Sequence, residues 1–255
     1  MCLVAIALGA HPFYPLIIAA NRDEFHARPS RVAQEWQDLL GVYGGRDLAR
    51  GGSWFAATRA GRFALVTNIR RVPVSAGRSR GTLIQQFMPD PIDARACAEE
   101  LARKALDYRP FNLLVGTRAE AYFIHSDRGK VHGLKRGVHG LSNADLNTPW
   151  PKTERLSEVL RGVCARAEDP HDALWDALAD TGVAPDADLP DTGIGLDRER
   201  VLSAAFIVGE NYGTRASTLL SFASDGRARL VERSFGPSGV PLGETVLEWE
   251  VKDSK

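Results

Sequence analysis

Two short apolar runs open the chain, over 2–8 and 16–21, with His11-Pro12-Phe13-Tyr14-Pro15 between them. Runs of this length, bounded by Gly and Pro, predict a buried β-hairpin. The next stretch, 25–52, is rich in Gly and Arg and nearly aperiodic. It predicts a long, mostly irregular loop, a kind of segment that is usually functional or partly structured. Apolar runs over 53–58 and 62–68 flank Arg59-Ala60-Gly61 and predict a second hairpin, with Trp54 as a packing anchor. Residues 70–81 are basic and Gly-rich. Thr82 is placed to cap a short helix over 83–88. Ile92, Ala96, Leu101 and Ala105 recur at helical spacing over 92–107, with Asp93 near the start.

The second half predicts a third hairpin over 111–116 and 121–125, with further strands at 130–134 and 138–142. Pro149-Trp150-Pro151 opens a helix, as Pro at a first helical position favours, and 171–179 predicts another. The Pro/Gly/Asp-rich stretch 181–197 reads as a flexible surface segment. Strands follow at 204–208, 216–223, 228–233 and 244–251, with Asp225-Gly226 as a tight turn. Strands that come in hairpin pairs, with helices clustered mid-chain, predict an antiparallel α+β layered domain, not a doubly wound parallel sheet.

Composition narrows the partners. The 255 residues are 44% hydrophobic, and 32 basic side chains balance 32 acidic ones. That is ample core material, and it gives no electrostatic reason to expect nucleic acid or an anionic membrane as partner. No run reaches the roughly 18 apolar residues of a membrane span. A signal peptide is not expected either, because the basic n-region is missing and the apolar stretch is split in two. Cys2, Cys97 and Cys164 are too few and too scattered for a disulfide framework, which points to the reducing cytoplasm. Cys97 and Cys164 fall in helix-like stretches and read as structural. The six histidines show no HxxxH or HExxH spacing, so no metal site is expected, although His132 and His139 flank a turn.

Candidate chemistry gathers at the first hairpin. If Met1 is removed, Cys2 carries its own base, since an α-amine titrates near 8 and a thiol near 8.5. This is the N-terminal-nucleophile arrangement. The competing reading of Cys2 is a small buried hydrophobe. Asn21-Arg22-Asp23-Glu24 ends the second run and is expected one strand over, at the rim of the same pocket. Asp23 is placed to position the amine; Arg22 and Asp23 could equally form a surface ion pair. Asn143, in Gly140-Leu141-Ser142-Asn143, reads as an oxyanion donor or as a turn residue. Arg215 reads as a binder of a substrate anion, a partner of Asp23, or a solvated strand-edge side chain. Gly44-Gly45-Arg46-Asp47 and Gly51-Gly52-Ser53-Trp54 allow close backbone approach to a ligand, or simply punctuate hairpins.

Several of these stretches recur together in one family. They are Met1-Cys2, Asn21-Arg22-Asp23-Glu24 followed by Arg28-Pro29-Ser30, Gly51-Gly52-Ser53-Trp54, Thr67-Asn68, Ser79-Arg80-Gly81, Phe111-Asn112-Leu113, Gly140-Leu141-Ser142-Asn143 with Thr148-Pro149-Trp150-Pro151-Lys152, and Tyr212-Gly213-Thr214-Arg215. In this order the chain resembles the NRDE family, also called the transport and Golgi organisation protein 2 family. The resemblance implies one domain over 1–255 with a four-layer αββα fold of stacked antiparallel sheets, like that of the N-terminal-nucleophile hydrolases. It implies Cys2 as nucleophile, Asp23 as its positioning group, Asn143 as oxyanion donor and Arg22 as an active-site arginine. Asn21, Asn68 and Arg215 are implied as ligand-binding residues. The implied activities are amide hydrolysis or acyl transfer, which need no cofactor, or carriage of haem or acyl-CoA in the same cleft. A trafficking role without a small ligand is the third expectation. The expected partner is thus a small molecule: an acyl amide, acyl-CoA or haem.

Overall fold

The computed structural model describes residues 2–71, 76–89 and 93–252. The opening runs form β1 (Cys2–Leu8) and β2 (Leu16–Phe25), paired antiparallel from Cys2↔Arg22 to Leu8↔Leu16. The chain then crosses to a second sheet and lays down β3 (Ser30–Trp36), β4 (Leu39–Asp47), β5 (Phe55–Thr58) and β6 (Arg62–Asn68). Helices α1 (Gly81–Phe87) and α2 (Ala94–Arg103) follow. Strands β7 (Phe111–Thr117), β8 (Ala121–His125) and β9 (Lys130–Gly133) complete that sheet in the order β3-β4-β5-β6-β7-β8-β9. β10 (Gly137–Leu141) returns to the first sheet, followed by helices α3 (Pro151–Arg166), α4 (Pro170–Leu178) and α5 (Leu196–Val201). Strands β11 (Tyr212–Phe222), β12 (Arg227–Phe235) and β13 (Pro241–Glu250) finish the first sheet in the order β10-β1-β2-β11-β12-β13. Strand neighbours within each sheet run antiparallel.

Alternation along the strands sorts apolar side chains into three layers. Val4, Ile6, Leu16 and Ile18 of the first sheet meet Phe63, Leu65, Leu114 and Phe123 of the second in the space between the sheets. From the opposite face of the same strands, Leu3, Ala5, Ile17 and Ala19 pack on Leu156, Leu160 and Leu174 of α3 and α4. The outer face of the second sheet, with Ala64, Val66, Leu113 and Ile124, packs on Leu83, Ile84 and Phe87 of α1 and Leu101 of α2. Each sheet therefore has two covered faces, so its central strands read as continuous apolar runs rather than alternating ones. The result is a four-layer αββα sandwich.

Four expectations need correction. The stretch 25–52 is not irregular: β3 and β4 occupy most of it. Register shifts between Arg31/Gln34 and Glu35/Trp36 break the period-2 pattern that would have announced them. Residues 204–208 form no strand; Phe206 donates its backbone N–H to Asp180 O, and Ile207 exchanges hydrogen bonds with Thr214. Thr82 does not cap α1, because its hydroxyl donates to Ser79 O. The stretch 181–197 is tied down at its end, where Thr192 donates to Glu199 of α5 through both its N–H and its hydroxyl. Helix α2 starts after Asp93, whose carboxylate accepts from Ala96 N at 2.9 Å as an N-cap. Ile92 lies outside the described residues.

Candidate active site

The register of β1 on β2 sets up the site. Directly opposed residues in an antiparallel pair share a face, so Cys2 and Arg22 continue the inward-facing row of Val4, Ile6 and Ile18 out to the rim of the sandwich. The thiol and the guanidinium line a cavity of about 100 Å³ together with Trp54, Thr67, Asn68 and Arg80. The Arg22 guanidinium stacks 4.1 Å above the Trp54 ring, a cation–π contact. Two glycine contacts hold this wall. A Cβ on Gly45 would collide with the Trp54 ring, and a Cβ on Gly52 would collide with the Gly81 backbone. Ser53 N–H donates to Gly81 O at 3.2 Å across that approach, which brings Arg80 to the cavity. The family motifs around Trp54 and Arg80 are thus two halves of one contact.

The other face of β2 is polar as well, and it is filled. Asn21 donates from Nδ2 to Leu178 O and Ala205 O, both at 2.8 Å, and its Oδ1 accepts from Ser217 Oγ at 2.6 Å. Asp23 Oδ1 accepts from Thr214 Oγ1 at 2.7 Å. The buried Lys152 Nζ donates to Ala204 O at 3.4 Å and lies within electrostatic reach of Asp23. Burial lowers the Lys152 pKa to about 8, against the pull of Asp23. Tyr212 is held neutral, first by burial and then by Asp23 and Cys2. Beside this cluster Arg70 Nη1 donates to Glu199 Oε2 at 2.5 Å in a buried ion pair, with Trp150 under the guanidinium.

Around the rim, polar side chains lace the two sheets together. Ser142 Oγ donates to Cys2 O at 3.0 Å, and Thr67 Oγ1 donates to Ser142 O at 2.7 Å. Asn143 Nδ2 donates to Asn68 O at 2.9 Å and to Asn68 Oδ1 at 3.2 Å. Asn112 Nδ2 donates to Ala144 O at 2.6 Å. Burial raises the Cys2 thiol pKa above the ordinary range; Asp23 raises it further, while Arg22 and a backbone hydrogen bond from Asp23 act the other way.

Of the residues expected at the site, the structure brings Cys2, Arg22, Asp23 and Asn68 together on the cavity. Three differ from their expectation. Asn143 is buried and spends its donors on Asn68 rather than on the cavity. Asn21 points to the helix layer, where its carboxamide is fully engaged. Arg215 sits at a bulge in β11 and donates to Phe25 O and Arg28 O, lining a separate cavity with His26. It makes no ion pair with Asp23. Met1 lies outside the described residues, and with it the expectation that its removal frees the Cys2 amine. Sequence reasoning missed the parts played by Arg80, Arg28 and Lys152. Arg28 clamps Asp47 at 3.0 and 2.6 Å. Only the spacing of the Gly-rich turns hinted at Arg80, and nothing marked Lys152 as buried. None of the six histidines lines the cavity. His132 and His139, expected to flank one turn, belong to different sheets. Among the described residues no cluster of three or more His, Cys, Asp or Glu is arranged to hold a metal ion. Among the described residues no helix is long and apolar enough to cross a membrane.

Two stacked antiparallel sheets between helical layers, with a cysteine at the start of the first strand, define an N-terminal-nucleophile-hydrolase-like fold. The C2A mutant of the conjugated bile acid hydrolase from Clostridium perfringens shares it, with a TM-score of 0.51 over 100% of this chain and 98% of that one, at 8% sequence identity. The chain belongs to the Transport and Golgi organisation 2 family, whose sequence profile matches residues 1–237. The Transport and Golgi organization protein 2 homolog of Bos taurus is 30% identical over 98% of this chain and 96% of its own length. The homolog of Homo sapiens is 28% identical over 99% and 97%.

Proposed function

We propose that the chain is an amide hydrolase or acyltransferase with Cys2 as nucleophile. The observation that carries this reading is the thiol of Cys2 facing a rim cavity beside Arg22, Trp54 and Asn68. In the proposed step the sulfur attacks an acyl carbonyl carbon, a C–S bond forms, and the carbonyl oxygen becomes an oxyanion. Asn68 is the proposed donor to that oxyanion. Its Oδ1 is turned toward Asn143, which leaves its Nδ2 for the cavity. Asn143 is then a positioning residue. Collapse of the intermediate breaks the C–N bond, the amine leaves with a proton, and water or a second nucleophile later cleaves the thioester. The proton acceptor in this scheme is the Cys2 amine, exposed by removal of Met1 and oriented through Asp23. The fold neighbour that hydrolyses conjugated bile acids supports amide chemistry as the first class to test.

The test is the intact mass of the purified protein, followed by incubation with acyl amides and acyl thioesters. Loss of Met1 and an acyl adduct confined to Cys2, absent in Cys2→Ala and Cys2→Ser, is the expected result. Retention of Met1 with no adduct removes the reading.

A second reading, a non-catalytic carrier of acyl-CoA or haem in the same cleft, is favoured by one observation. Burial raises the thiol pKa, so Cys2 is a poor nucleophile at neutral pH in the absence of a base. A carrier retains its cargo in Cys2→Ala, read as a Soret band for haem or as co-purifying CoA, except where sulfur is the haem ligand.

A further inference from the structure

We infer that Arg22 and Arg80 form an anion-binding subsite beside Cys2, built for a carboxylate or phosphate group of the ligand. This rests on the reading of the cavity as a ligand site, whether catalytic or carrier. Arg22 is 7% exposed, and among the described residues it makes no hydrogen bond and no ion pair; its one specific contact is the Trp54 ring. Arg80, half-buried, lines the same cavity, and among the described residues its guanidinium donates to Pro110 O alone, at 3.2 Å. Buried guanidinium groups normally pair with carboxylates, because leaving one desolvated and unpaired is costly. The three carboxylates that line the cavity make their hydrogen bonds or ion pairs elsewhere: Asp23 accepts from Thr214 Oγ1, Asp47 takes both forks of Arg28, and Glu24 lies 3.6 Å from the same Arg28 guanidinium. Glu24 and Asp47 reach Arg22 only through space. Burial pulls the pKa of both Arg22 and Arg80 down; Glu24 and then Cys2 offset it at Arg22, and Cys2 and then Glu24 at Arg80. Two planar forks facing one space match the oxygens of a carboxylate or phosphate.

Size is compatible with the same class: a cavity of about 100 Å³ has room for a carboxylate or phosphate group beside the thiol.

The rival explanation is that both arginines serve the Cys2 thiolate itself. Alkylation separates the two without any knowledge of the substrate. In each case the thiolate sulfur displaces iodide, so a C–S bond forms and a C–I bond breaks. The reagents differ in charge: iodoacetate carries a carboxylate and iodoacetamide does not. Rates are read at the Cys2 peptide by mass spectrometry, with the buried Cys97 and Cys164 as internal controls. Because both reagents draw on the same thiolate, their rate ratio cancels any shift in thiol pKa. An anion subsite raises the iodoacetate-to-iodoacetamide ratio about tenfold above that of free glutathione. The excess falls to the glutathione value in Arg80→Met and in Arg22→Met, and inorganic phosphate suppresses it saturably. A ratio equal to that of glutathione in the unmodified protein overturns the inference. So does a variant that slows both reagents alike.

A phosphate titration of thermal stability is the second measurement. It expects a saturable rise in Tm that both variants lose, and no rise in the unmodified protein counts against the subsite. An intact charge preference without acyl-adduct formation keeps the subsite and removes only the hydrolase reading.

Discussion

The two faces of strand β2 carry polar residues in alternation, and they are treated in opposite ways. Asn21 points to the helical layer and finds partners in Leu178 O, Ala205 O and the β11 residue Ser217; Asp23, on the same face, accepts from Thr214 of β11 and also borders the cavity at the strand end. Arg22, between them in sequence, points between the sheets and meets an aromatic ring and an empty space. A satisfied buried network rigidifies the scaffold, whereas a cation left without an acceptor is a binding capacity. One tetrapeptide therefore carries both the support and the working surface, separated only by the pleat. If this division is right, substitutions behind the sheet cost stability and substitutions on the cavity cost ligand.

The largest effect belongs behind the sheet, at Glu199. It accepts from Arg70 at 2.5 Å and from Thr192 twice, so Glu199→Ala removes the carboxylate of a buried ion pair and frees the segment that precedes α5. Removing one partner of a buried pair costs roughly 3–5 kcal/mol. Chemical denaturation should show that loss as a lower midpoint at unchanged slope. A loss under about 1 kcal/mol would mean the pair is solvated like a surface bridge.

The comparison also predicts a pH signature from the space between the sheets, on the side that Arg22 faces. Glu232 sits there at full burial, accepting from Ala33 N at 2.6 Å and Thr218 Oγ1 at 3.3 Å. Burial raises its pKa to about 7 from 4.5, against those two hydrogen bonds and Arg22. A carboxyl group whose folded pKa lies above its unfolded one takes up a proton on folding. Its contribution is fully present below about 4.5 and is lost as pH rises to about 7. The upper bound on that loss is about 3 kcal/mol. Glu232→Gln keeps an oxygen for Ala33 N and removes the titration. Its Tm should match that of the unmodified protein near pH 4.5 and exceed it at pH 8. Parallel curves across that range would place the titration elsewhere.

How much of this could be read from the chain follows the same division. The opening hairpin, β5–β6, β7–β8 and α3 were legible because continuous apolar runs and an initiating Pro state their burial directly. β3 and β4 were not, since two register shifts scramble the alternation. The motif residues Cys2, Arg22 and Asn68 were legible as a group, and pairing made them neighbours. The functions of Asn143 and Asn21 were not, because an amide's partners are set by tertiary contacts more than a hundred residues away in three of Asn21's bonds. Lys152 stands in a family motif that carries no sign of its burial. Its burial depends on where α3 docks, which no local pattern encodes.

The smaller effects test the two faces of β2 side by side. Asn21→Leu leaves Ser217, Leu178 O and Ala205 O without their buried partner, at a cost of about 2 kcal/mol, with the alkylation ratio at Cys2 unchanged in the fraction that folds. Arg22→Met does the reverse. The unbranched thioether fills the space of the guanidinium stem over Trp54, and the desolvated charge is gone, so stability changes by less than about 1 kcal/mol, with a gain as admissible as a loss. The charge preference at Cys2 is what disappears. Equal destabilisation by the two substitutions would erase the contrast between the faces, because Arg22 would then be holding the fold through contacts as complete as those of Asn21. A stable Arg22→Met protein that no longer distinguishes iodoacetate from iodoacetamide would show that the charge is kept at this rim for a ligand.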